Sequence, residues 1–99
     1  MPRENYTSYR NKIIRNFLFG ISQKRSILQC RQKAREDLVR IKEAGEISLE
    51  QYDKLYQMID GSIVLEDLEG KLYLTYKSRT RAVYDPVTKA TSVTWAGNQ

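Results

Sequence analysis

Ninety-nine residues carry a formal charge of +5, with one cysteine and no histidine. That length fits one small domain, the lone Cys30 excludes an internal disulfide framework, and almost no donors remain for a single-chain zinc site. No apolar run approaches the ~20 residues of a membrane span and no signal-peptide pattern opens the chain, so a protein of the reducing cytoplasm is expected.

Leu, Ile, Val and Phe number 24, enough for a small core. Charge is distributed unevenly. Residues 1–40 hold ten Lys/Arg against three acids, and residues 41–99 hold seven against nine. A basic half beside a near-neutral one points to an acidic partner, either nucleic acid or an acidic protein face. A plain solvated surface is the competing explanation.

Met1–Asn5 reads as a loose tail. Thr7 or Ser8 caps a first helix running to about Phe19, with Tyr9, Ile13, Ile14, Phe17 and Leu18 recurring at helical spacing. Arg10, Lys12 and Arg15 fall largely beside that stripe, and Gly20 ends or kinks the segment. A second helix starts at Ser22 or Ser26, with Ile27, Cys30 or Arg31, Ala34, Leu38 and Ile41 as its buried stripe. One bent helix over 8–44 is the alternative, since glycine costs only ~1 kcal/mol inside a helix.

The firmest local pattern is a helical hairpin within Ala34–Ile59. Gly45 suits the left-handed residue that closes one helix, Ser48 and Gln51 form a capping box for the next, and Ile47 with Tyr52 makes a hydrophobic staple. The third helix, Leu49 to about Ile59, buries Tyr52, Leu55, Tyr56 and Ile59 before Asp60-Gly61 turns the chain. The stretch LVRIKEAGEISLEQYDKLYQMI resembles the short bacterial SHOCT module at its glycine, Ile-Ser, Glu and aromatic positions, with Leu55 where that module usually has a lysine. The resemblance covers about a quarter of the chain, and no function is carried over from it.

From Ser62 the period changes to two. Strands are expected at Ile63–Glu66, at Lys71–Lys77 with an extension through Arg79, at Arg81–Asp85 and at Ala90–Trp95. Turns fall at Leu68–Gly70 and Asp85–Lys89, and such short connections pair strands antiparallel. The predicted fold is α+β in one unit, 1–99. Its basic helical part is 1–60 with the hairpin around Gly45, its three- or four-stranded antiparallel meander spans 61–96, and 97–99 is a tail.

Two constellations carry the functional expectation. If Lys71 to Ala82 stays extended, Lys71, Tyr73, Thr75, Lys77, Arg79 and Arg81 share one strand face, where cations follow phosphates and Tyr73 stacks on a base. A turn at Ser78-Arg79-Thr80 would scramble that register. The second set is helical: Lys24, Arg25, Arg31, Lys33, Arg35 and Arg40, with Glu36 and Asp37 as the intruding acids. Glu66, Asp67 and Glu69 near a turn are a weak cation candidate, and Cys30 in a basic helix reads first as a small core residue.

With no histidine and no glycine-rich phosphate loop, a non-catalytic binding protein without cofactor or metal is expected. The first reading is a small basic nucleic-acid-binding accessory protein. The alternative is an interaction module or inhibitor of mobile-element type that binds an acidic protein face, and self-association is a third reading.

Overall fold

Three helices, α1 (Tyr6–Ser22), α2 (Ile27–Glu43) and α3 (Leu49–Gly61), precede four strands, β1 (Ile63–Glu66), β2 (Leu72–Tyr76), β3 (Arg79–Asp85) and β4 (Ala90–Val93). This is the expected α+β arrangement. The computed structural model describes residues 6–95, so the tails expected at Met1–Asn5 and Gly97–Gln99 lie outside the described residues. The strands form one antiparallel sheet in the order β1-β2-β3-β4. Among the described residues no helix is long and apolar enough to cross a membrane.

Local chemistry sets each helix boundary. Gly20 does not end α1; the helix runs on to Ser22 and closes with Lys24 at φ 67°. The Arg25 amide reaches back to the Gly20 carbonyl at 3.2 Å and the Lys24 amide to Ile21 at 3.0 Å, the paired bonds of a Schellman ending. Residues 8–44 are therefore two helices. Ser26 starts the second one: its hydroxyl accepts from the Gln29 amide at 3.1 Å, and Gln29 Oε1 accepts from the Ser26 amide at 3.2 Å. Ser48 and Gln51 repeat this box on α3, and Gly45 at φ 75° closes α2 as expected.

α1 packs on α2 along one side and on β2, β3 and β4 along the other. Ile13, Ile14, Phe17 and Leu18 are buried with Leu38, Leu55, Met58, Ile59, Leu72, Leu74, Ala82 and Tyr84. Tyr56, expected inside, is exposed, and Met58 takes the buried position. Arg10 also belongs to the buried stripe, at 1% exposure, rather than beside it. It lies three and four residues before Ile13 and Ile14, so helical phase turns it inward. Its Nη2 donates to the Trp95 carbonyl at 3.2 Å, and its guanidinium lies 5.0 Å from the Trp95 ring centre. The first helix is thereby fastened to the segment following the last strand.

The sheet departs from expectation at the β2–β3 connection. Lys77 and Ser78 both have positive φ, 52° and 64°, and form a two-residue hairpin turn of the kind that matches strand twist. Neither residue is glycine or asparagine, so the local signal for that turn was missing. A bulge follows: Leu74 pairs with Ala82 and Thr75 with Thr80, leaving Arg81 as the extra residue.

Gly20 does its work through size. A Cβ there would lie 2.8 Å from Cys30 Sγ, so the glycine permits the close approach of α1 to α2. Gly20→Ala gains about 1 kcal/mol of helix propensity but overpacks this approach at a cost of about 1–3 kcal/mol. We expect a lower Tm for Gly20→Ala in the native background and a higher Tm for the same change added to Cys30→Ala. Thermal unfolding of the four proteins checks both signs.

Candidate functional site

The hairpin at Lys77-Ser78 folds the predicted strand face in half. Lys71 precedes β2 at one end of the sheet, whereas Lys77, Arg79 and Arg81 gather at the other. Tyr73 does face outward, but its hydroxyl donates to Asp67 Oδ2 at 2.9 Å. Arg81 leaves that face altogether. The bulge turns it toward the helices, where its guanidinium lies 4.6 Å from the Trp95 ring centre and its Nε donates to the Tyr76 carbonyl at 3.1 Å. Arg10 and Arg81 thus approach the same indole. Burial pushes the Arg10 pKa down, Tyr6 opposes that, and the Arg81 charge adds to the lowering. The continuous basic strand face is not formed; a basic hairpin end takes its place.

The helical set divides as well. Arg31 donates to the Ser62 carbonyl at 2.8 Å, and Arg35 lies 3.3 Å from the Asp60 carboxylate and over the Tyr56 ring. These two cations fasten α2 to the end of α3. Lys24 is the left-handed terminator of α1, exposed beyond it. Arg25, Lys33 and Arg40 are the members of the set that border a concave surface.

That surface is the groove between α1 and α2. Its middle is a slot of about 30 Å³ lined by Gly20, Arg25, Gln29, Cys30, Lys33 and Asp37 among others. Toward the start of α1 it opens into a depression of about 410 Å³ bordered by Lys12, Asn16, Asp37, Arg40 and Glu46. On the far side of Arg25 and Lys33 a second depression includes Gln32 and Glu36. Four cations, Lys12, Arg25, Lys33 and Arg40, therefore rim a groove with Asn16 and Gln29 between them. Asp37 sits in the middle, 3.5 Å from Lys33 Nζ and ion-paired to Arg40.

Lys12, Asn16 and Gln29 were missed as site residues. The signal was present in the spacing: Lys12 and Asn16 are four apart on α1, and Arg25, Gln29, Lys33 and Asp37 follow at steps of four into α2. Cys30 lies at the floor of the slot. Burial pushes its thiol pKa up against the opposing charge of Arg25, so the basic surroundings do not activate it.

The acidic turn has a structural use. Asp67 Oδ1 accepts from the amides of Glu69 and Lys71, each at 2.9 Å, and Oδ2 accepts from Tyr73. Desolvation raises its pKa, but the Tyr73 hydrogen bond and the two amides outweigh that and leave it below the ordinary value.

Compared with protein-family models, curated proteins and solved structures, the chain matches none. The likeness of the α2–α3 hairpin to the SHOCT module thus extends to no family match.

The lowered Asp67 pKa has a defined sign in stability. The contribution is fully present above the unfolded value of about 4 and is lost as pH falls through the lower folded value. Asp67→Asn should remove that component, so the stability gap between variant and native protein closes in acid. Urea unfolding at a series of pH values measures it.

Proposed function

We propose that this chain is a non-catalytic binding protein that holds a nucleic-acid backbone along the α1–α2 groove. The observation that carries the reading is the placement of Lys12, Arg25, Lys33 and Arg40 around one groove with two side-chain amides between them. Cations so arranged neutralise phosphates, and Asn16 and Gln29 donate to phosphate or sugar oxygens. Among the described residues, aromatic rings that would stack bases are not part of the rim beyond Tyr9, so the groove reads backbone rather than sequence. The non-catalytic reading is supported by the lack of histidine and by the raised thiol pKa of Cys30. Binding of an acidic protein face is the second reading, favoured by the same four cations around the groove.

Gel shifts against single- and double-stranded DNA and RNA across a salt series test the proposal. Binding should fall steeply with salt, and Arg25→Glu with Lys33→Glu should weaken it and reduce the salt slope by about two, one for each phosphate no longer neutralised. Asp37→Asn should act in the opposite direction, because it releases Lys33 and Arg40 from their carboxylate partner. No shift at low salt with any of the four nucleic acids would overturn the reading.

A further inference from the structure

One part of the α1–α2 groove is not accounted for by phosphate contacts. α2 turns back along α1, so the start of one helix lies beside the end of the other. Tyr9, Lys12, Ile13 and Asn16 fall at steps of three and four on α1, and Asp37, Arg40, Ile41 and Ala44 repeat those steps on α2. The two stripes enclose the depression of about 410 Å³, with Glu46 from the turn beyond α2. Tyr9, Ile13, Ile41 and Ala44 give it an apolar wall. Its charges cancel, because Lys12 and Arg40 are matched by Asp37 and Glu46.

A phosphate gains little from a lining that is apolar on one side and neutral in sum. A base gains more, since it presents an apolar ring face with donors and acceptors around its edge. The Tyr9 ring offers a stacking surface, the two carboxylates accept from base N–H groups, and Lys12, Asn16 and Arg40 donate to base carbonyls and ring nitrogens. Every base fits that description, in keeping with a groove that reads no sequence. The volume falls in the range of small-ligand sites, with room for one base and its sugar. The adjoining slot of about 30 Å³ admits water but not a ring.

We propose that the depression at the Tyr9 end takes one unpaired base, so that the groove binds single-stranded nucleic acid in preference to duplex. The inference rests on the groove being a nucleic-acid site and adds the form of strand it takes. Lys12 Nζ lies 5.8 Å from the Tyr9 ring centre, so a phosphate held there sits next to a base on that ring. In a single strand the base can turn onto the ring at little cost. In a duplex it is paired and stacked inside, and turning it out carries the cost of unstacking. A reader of backbone alone would do the opposite and favour the duplex, whose phosphates are more densely spaced.

Gel shifts at one fixed low salt concentration, using oligothymidylate, oligoadenylate, the duplex they form and an abasic strand of the same length, test it with the native chain. The two single strands should bind alike, and both more tightly than the duplex. The abasic strand, with the same phosphates and no bases, should bind about tenfold more weakly than oligothymidylate. Tyr9→Leu should remove that difference, and Tyr9→Phe should restore it. A duplex bound as tightly as the single strands, or an abasic strand bound as tightly as oligothymidylate, would overturn the inference and leave the groove as a plain phosphate site. Absence of binding to all four would overturn the groove reading along with it. The oligonucleotide comparisons do not depend on how either Tyr9 variant folds.

Discussion

The position of α1 constrains everything else. It lies between α2 and the sheet, so a helix of 17 residues must bury surface in two directions at once. Toward α2 it presents Ile13, Phe17 and Gly20, the last small enough to admit Cys30. Toward α3 and the sheet it presents Ile14 and Phe17, which meet Met58, Ile59 and Leu74. Little of α1 is left for solvent, and Lys12, Arg15, Asn16 and Phe19 occupy it. That the groove and the core share this helix explains why cations on α1 and α2 meet across a narrow gap.

Arginines in this molecule do three different jobs, and burial separates them. Arg10 and Arg81 approach Trp95 from different elements, where a planar guanidinium stacks as a lysine would not. Arg31 and Arg35 bridge helices by reaching the end of α3. Arg25 and Arg40 remain exposed along the groove. The +5 charge is therefore not a uniform coat, and only part of it is available to a partner.

What could be read from sequence was what local chemistry decides. Ser48 with Gln51, Gly45 and the antiparallel meander announce themselves within a few residues, whereas Asp60 and Gly61, expected to stop α3, are its last two residues and Ser62 caps it. The Lys77-Ser78 turn does not announce itself, because left-handed backbone at two residues other than glycine is imposed by the strands on either side. The Arg81 bulge is equally invisible, and with it went the predicted strand face. Gly20 was a breaker by composition but a spacer in fact, since its meaning lies with Cys30 on another helix. Of the predicted helical cations, Arg25, Lys33 and Arg40 reached the groove. Arg31 and Arg35 are further round α2, turned toward α3, and helical phase alone could not say which side was open.

The sealed contact between Gly20 and Cys30 gives the molecule a chemical clock. A thiol that is buried, and whose ionisation burial disfavours, reacts with an alkylating reagent only while α1 and α2 are apart. Each modification forms a stable thioether, and the added group then keeps the pair from closing again against the glycine. The rate at which Cys30 is consumed therefore counts openings of the helix pair, and anything that braces the groove will slow that rate without touching the sulfur.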